Sequence, residues 1–261
     1  LRPAIRSLNT KLLLIVGGFL ILSSILGSVR VGMAETDRLE ALYHQRLQTL
    51  SQRYQTYLTE DLHTRAQMLK ASREVLLHEL NSVADRDYMP DLSSFRQDDG
   101  SYRLLERSSG VFVQREAELN LVALRHIQAT GQVWERLGPA FQEMFSAFYF
   151  ISEERLMRVW SLKYVTAHRP AHDMREEVYY RIAAPEHNSA AEARWTPVYY
   201  DEYTQQWLLT LVLPVYQQNK FIGVIGGDMP VSYLLSRLDM LDADANRIGA
   251  FIVDSEKQIL L

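Results

Sequence analysis

Two carboxylates and a group of aromatic rings stand close together in residues 194–230, RWTPVYYDEYTQQWLLTLVLPVYQQNKFIGVIGGDMP. Trp195, Tyr199, Tyr200 and Tyr203 surround Asp201, and Asp228 stands near the end of the stretch. Such a set suits capture of a small cationic or polar ligand. Charge-assisted hydrogen bonds contribute about 1.5–3 kcal/mol each, and attraction of a cation to a ring face about 0.5–2 kcal/mol. The candidate ligand-binding residues are Trp195, Tyr199, Tyr200, Asp201 and Asp228, with Tyr180 and Arg194 at the edge of the set. None of them is a nucleophile, and no catalytic residue is assigned. Structural roles compete with the binding role: Asp228 precedes Pro230, where it suits capping a helix, and Asp201 suits forming a turn.

His168 and His172, with Asp173 beside them, have the spacing of metal ligands, but Pro170 breaks the helix that would aim both rings at one ion. No third ligand is evident, so they are read as loop histidines and no metal or cofactor is assigned. Gly226-Gly227-Asp228 matches the start of the diguanylate cyclase signature, yet the acidic and aromatic residues that continue it are missing. The chain has no G-x-S-x-G elbow, Walker-type phosphate loop or H-E-x-x-H motif.

The elements that must position the two acids follow from periodicity. Residues 206–216 and 221–228 are strand-like and joined by the polar turn QQNK, which predicts a hairpin. In its first strand Leu209, Leu211 and Leu213 fall on one face and Leu208, Thr210 and Val212 on the other, so both faces are expected to be covered. Pro230 is placed to open a helix over 231–241.

Upstream, residues 12–29 are uncharged and apolar, and Arg2, Arg6 and Lys11 precede them. This predicts a transmembrane anchor over 12–30, with 1–11 in the cytoplasm and all that follows outside. A cleaved signal peptide, with Gly32 and Ala34 near the cleavage point, is the competing reading. From Glu35 to about Val83 there is no Pro or Gly, and apolar residues recur at steps of three and four from Leu39 to Leu80. That predicts one long stalk helix over 35–84, with Arg65 and Ser72 interrupting its stripe. Residues 85–110 read as a polar excursion with a short strand at 102–106, and 111–144 as helix, broken at Gly131 and at Gly138-Pro139. A first hairpin is expected over 145–152 and 156–164, and a short helix over 175–184. Residues 249–261 repeat the strand–turn–strand pattern of the first hairpin.

The 261 residues suffice for one or two domains with a real core. A net charge of −4 argues against nucleic acid as a partner. With no Cys there are no disulfides or thiolate sites, which fits a periplasmic setting. We read the sequence as the front part of a longer protein.

The order Trp195-Thr-Pro-Val-Tyr-Tyr-Asp201, then Pro214-Val-Tyr216, then Gly223-Val-Ile-Gly-Gly-Asp228 resembles the membrane-distal half of double Cache (dCache) sensor domains, the PAS-like extracytoplasmic modules of bacterial signalling proteins. The segment from Tyr179 to Asn188 is similar to the stretch before the Trp in one branch of that family. The resemblance implies an α+β fold: a PAS-like antiparallel sheet flanked by helices over 85–241, then the start of a second, membrane-proximal module over 242–261. It implies sensing by a receptor of the bacterial inner membrane, a small amine or amino-acid-like ligand, and a homodimer formed through the long helix. A diguanylate cyclase or histidine kinase output is favoured over a chemoreceptor region. The amino-acid-binding subgroup carries an Arg-x-Trp-aromatic element for the ligand carboxylate; Arg194-Trp195 and Tyr179-Tyr180-Arg181 match it poorly. Ligand-free scaffold and membrane-anchored periplasmic enzyme are the rival readings.

Overall fold

The computed structural model describes residues 2–84, 91–107 and 109–241. The anticipated second module, 242–261, lies outside the described residues. The chain divides into two compact units, residues 1–56 and 57–261.

The first unit is the leading part of helix α1 (Arg2–Ala84), which runs unbroken through 83 residues. From Phe19 to Val29 its large apolar side chains are exposed, and the helix is long and apolar enough to cross a membrane.

The second unit is built on an antiparallel sheet of eight strands among the described residues. They are β1 (Tyr102–Leu105), β2 (Ser109–Val113), β3 (Ala147–Ser152), β4 (Leu156–Trp160), β5 (Arg194–Trp195), β6 (Tyr199–Asp201), β7 (Gln206–Gln217) and β8 (Lys220–Pro230). Their order is β1-β2-β4-β3-β8-β7-β5, with β6 also paired to β7. The helices are α2 (Leu121–Gln142), α3 (Leu162–Ala167), α4 (Val178–Arg181) and α5 (Val231–Leu241).

The central hairpin forms as its sequence predicts, with Gln218 and Asn219 both at positive φ in the two-residue turn that suits strand twist. One face of the sheet meets α1 and α2. Leu211, Leu213 and Ile225 pack there with Leu69, Leu76 and Leu80 of α1 and Trp134 of α2. Arg65 and Ser72 belong to the buried face of α1 rather than interrupting it. Arg65 tolerates burial because Asp61 takes its guanidinium at 2.8 Å and the ring of Tyr233 lies 4.7 Å away. The opposite face carries Val212, Val224, Tyr149 and Ile151 and is covered by Tyr164, Met174 and Tyr180 from the segments after β4.

Three expectations need correction. Residues 111–113 belong to strand β2, and helix α2 begins only at Leu121, with the Asn120 side chain accepting from the Ala123 N–H. Helix α2 also runs through Gly131 and Pro139. Pro139 lies near its end, so little downstream helix depends on the missing N–H; a Cβ at Gly138 would come within 2.1 Å of the Trp160 ring, so the glycine is there for close packing. The strand expected over 156–164 ends at Trp160, where Ser161 takes φ 131° and the chain turns into α3.

Arg158 of β4 is 1% exposed and points at α2. Its guanidinium pairs with Glu106 at 2.5 Å and donates to the Ile127 carbonyl at 3.0 Å. Replacing it with Ala strips these acceptors and leaves a hole. Glu106 remains half in water, so the expected loss of stability is about 2–4 kcal/mol, the low side of the cost of breaking a buried pair. Urea unfolding should show a lower midpoint at unchanged slope.

Candidate functional site

Asp228 lies on β8 directly opposite Thr210 of β7, and its side chain is buried at 4% exposure. Such a carboxylate needs hydrogen-bond donors. Thr210 Oγ1 donates to Oδ1 at 2.8 Å and the Tyr164 hydroxyl donates to Oδ2 at 3.2 Å. Since the Thr210 proton is used on the carboxylate, the Tyr199 hydroxyl, 2.8 Å away, donates to Thr210 Oγ1. The result is a relay from Tyr199 through Thr210 to Asp228.

Asp201 reaches the same place from the end of β6. Its Oδ2 accepts from the Thr204 N–H at 2.8 Å and from the Thr204 hydroxyl, holding the turn that leads into β7. The Tyr164 hydroxyl lies 3.4 Å from that oxygen as well. One phenol therefore stands between two carboxylates. This turn role and the Thr210 contact mean that neither acid caps a helix here.

The glycines of the GGD stretch have a packing reason. A Cβ on Gly226 would meet the Tyr149 ring at 2.8 Å, and one on Gly227 the Phe145 ring at 2.6 Å. Each glycine admits a ring on its own face of the sheet, and on the ligand-candidate face that ring is Tyr149, whose buried hydroxyl is directed at the Asp228 carboxyl and helps to lower its value.

His168 closes the far side. Its Nδ1 lies 2.8 Å from the Tyr164 carbonyl, an oxygen that only accepts, so Nδ1 carries the proton and Nε2 is a bare acceptor. That Nε2 is buried and finds no hydrogen-bond partner among the described residues. The ring stacks on Tyr203 at 4.3 Å, nearly parallel at 7°.

Together these groups line one cavity with Tyr179, Tyr199, Asp201 and Asp228, and its volume is about 20 Å³. That is room for about one water molecule. A ligand of amino-acid size therefore requires the layer above the sheet to move. On its outer side that layer carries a weak link, Arg169 and Glu202, both 74% exposed, which pair at 3.1 Å.

Electrostatics sharpen the picture. Burial first, and then the charge of Asp201, push the Asp228 carboxyl up to about 7, against the hydrogen bonds from Thr210 and Tyr164. Burial pulls His168 down to about 4, which keeps it neutral. Among the described residues that line the cavity, two are acids and none is an Arg or Lys.

Of the residues picked out by sequence, the structure brings Asp201, Asp228 and Tyr199 to this cavity. Trp195 pairs with Leu211 and packs on the opposite, α1-facing side of the sheet. Tyr200 is 49% exposed and meets the Trp207 ring at 5.4 Å. Arg194 donates to the His187 carbonyl at 2.6 Å. Tyr180 lines a separate, open groove of about 400 Å³ with Arg175, Arg181 and Phe221. The cavity also contains Tyr149, Tyr164 and His168, which sequence reasoning did not select for it. His168 and His172, read as solvated loop residues, are buried and partly buried, and their rings approach to 5.6 Å.

Residues 123–236 match the family model described as methyl-accepting chemotaxis protein-like, first PDC sensor domain. The chain is also similar to the sensory domain of the Campylobacter jejuni chemoreceptor Tlp3 (CcmL), solved with isoleucine bound. Identity is 17%, over 84% of this chain and 71% of that one, with a TM-score of 0.51. Two Pseudomonas aeruginosa PAO1 amino-acid chemoreceptor ligand-binding domains also resemble it. PctC, in complex with GABA, is 24% identical with a TM-score of 0.40, and PctB, in complex with L-Arg, is 24% identical with a TM-score of 0.42. These two likenesses cover 50% and 51% of this chain, which spans 57% of the PctC chain and 53% of the PctB chain. None of the curated protein sequences matches. The resemblance to an extracytoplasmic dCache-like sensor is borne out: residues 123–236 match a chemoreceptor-type sensor-domain model, and the fold is similar to that of a chemoreceptor sensory domain.

Proposed function

We propose that this chain is the ligand-sensing region of a membrane-bound bacterial receptor, and that its sensor module captures a small ligand through an ammonium group held by Asp201 and Asp228. One observation carries this reading: two carboxylates bridged by the Tyr164 hydroxyl in an enclosed, ring-lined cavity. An ammonium placed there would supply the missing charge and turn the rings into a cation cage. The isoleucine of the Tlp3 structure carries such a group, but the likeness supports only the fold, and the ammonium reading rests on the acids.

The apolar part of α1 anchors the receptor in the inner membrane, with Arg2, Arg6 and Lys11 on the cytoplasmic side and the sensor module in the periplasm. The long helix is the dimerisation element. The family match favours a methyl-accepting output over a cyclase or kinase. Signalling runs across a single layer: β7 and β8 carry Thr210 and Asp228 on one face and Leu211, Leu213 and Ile225 on the other, against Leu69, Leu76 and Leu80 of α1. Ligand entry displaces Tyr203 and the Asp201 turn, and it drives the helix only by binding one arrangement better than the other. Shifts of about 1–2 Å between packed states suffice for such switching.

Titration calorimetry of the whole chain against amines and amino acids tests this. Saturable binding is expected, and Trp195→Phe, on the far side of the sheet, should leave it within about twofold of wild type, because residues that share no contact act independently. A ligand-free scaffold is the second reading, favoured by the 20 Å³ cavity. It predicts no binding by any member of the panel.

A further inference from the structure

We infer that the ligand is an organic cation without a carboxylate, so that the site takes an amine and rejects the α-amino acid from which that amine derives. This rests on the reading above, that Asp201 and Asp228 hold an ammonium, and narrows it to one chemical class.

An amino acid brings a carboxylate as well as an ammonium, and a buried carboxylate needs a cation or several donors. Among the described residues no Arg or Lys lines the cavity. The neighbouring cations among the described residues lie outside the cavity lining. Arg103 donates to the backbone carbonyls of Val165, Thr166 and His168. Arg169 pairs with Glu202, and Arg175 grips Asp173 at 2.7 Å. Lys163 is exposed, with its ammonium 5.7 Å from the centroid of the Tyr164 ring, and does not line the cavity. His172 faces Glu177 at 3.2 Å, so a further acid stands beside this layer.

The uncommitted polar groups of the lining are acceptors, which suit an ammonium and not a carboxylate. Asp201, Asp228 and the bare Nε2 of His168 all seek N–H or O–H groups, and His168 is neutral because burial disfavours its charged form. The donors Thr210 and Tyr164 are already committed to Asp228, towards which the Tyr149 hydroxyl is also directed, and Thr204 is committed to Asp201. A carboxylate entering this site would add a third negative charge to two, facing His168 Nε2, which offers no proton. An alkyl- or arylammonium meets acceptors at its head and tyrosine rings around its body.

The test uses matched pairs in calorimetry on the whole chain at pH 7.5: tyramine with L-tyrosine, agmatine with L-arginine, cadaverine with L-lysine, and for each amino acid its carboxamide. At least one amine is expected to bind ten times or more tighter than its parent, with the carboxamide close to the amine. An amino acid that binds as well as its amine overturns the inference while leaving the ammonium reading intact. A carboxamide as weak as the acid shows that bulk, not charge, does the excluding, and also overturns it. Binding by no member of the panel removes the ammonium reading itself. As an internal check, Asp201→Asn removes one of the two negative charges and should narrow the ratio of amine to amino-acid affinity several-fold, whatever it does to each affinity; an unchanged ratio counts against charge as the filter.

Discussion

Asp228→Asn is expected to weaken ammonium binding at least about 30-fold while making the ligand-free protein more stable above neutral pH. The binding loss follows from removing one member of a desolvated charge pair, which costs about 2–5 kcal/mol. The gain in stability follows from the direction of the carboxyl's shift. Its value rises from 3.8 to about 7 on folding, chiefly through burial. A carboxyl with a raised value binds protons more tightly folded than unfolded. It therefore costs the fold nothing below about pH 4, costs progressively more as pH rises through 7, and levels off at about 4 kcal/mol. Asn carries no charge, so its fold escapes that penalty. It forfeits part of the bonding from Thr210 and Tyr164, about 1–3 kcal/mol. Thermal melts of wild type and variant should cross: the variant lower or equal at pH 4, and higher by several degrees at pH 8. Unchanged affinity would show that the acid takes no part in recognition, and parallel melting curves would show that it is not a strained buried charge.

The second large effect is on wild-type affinity as pH falls. A cation needs Asp228 ionised, whereas the ligand-free carboxyl takes up its proton below about 7. Primary amines stay charged throughout this range, so only the protein titrates. From pH 8 to pH 5.5 the ionised fraction falls about 30-fold, and the dissociation constant of a bound amine should rise by the same factor. Binding near pH 6 should also release close to one proton, visible as a buffer-dependent enthalpy. His168 cannot supply this step, since burial holds it near 4, below the window. The Asn variant should show neither the slope nor the proton. A flat wild-type profile would mean that the two acids are not sharing a proton in the ligand-free state.

These effects meet at a carboxylate whose role was only half visible in the amino-acid order. Residues 206–228 announce a hairpin, because alternation and a polar turn are local properties, and Asp228 and Asp201 stand out as the acids at its margins. The face each side chain takes depends on pairing. Trp195 opposes Leu211, and cross-strand partners share a face, so it goes to the α1 side; Tyr200 opposes exposed Trp207 and goes outward. Residues 109–113 do not announce a strand, for a related reason. Buried on both faces, SGVFV shows no alternation, and an apolar run without period reads equally well as helix.

The sequence by itself determined the long helix, the central hairpin, the apolar segment fit for a membrane and the presence of two acids among aromatic rings. All of these are written in spacings of a few residues. Only the tertiary structure decided which rings surround the acids. Tyr149, Tyr164 and His168 are separated from Asp228 by 60 residues or more of chain and arrive through the β3–β8 register and the turn into α3. Tertiary structure alone also made Asp228 hard to ionise. Its raised value comes from exclusion of water by groups distant in sequence, and no local pattern of residues encodes how much water a fold leaves beside a charge.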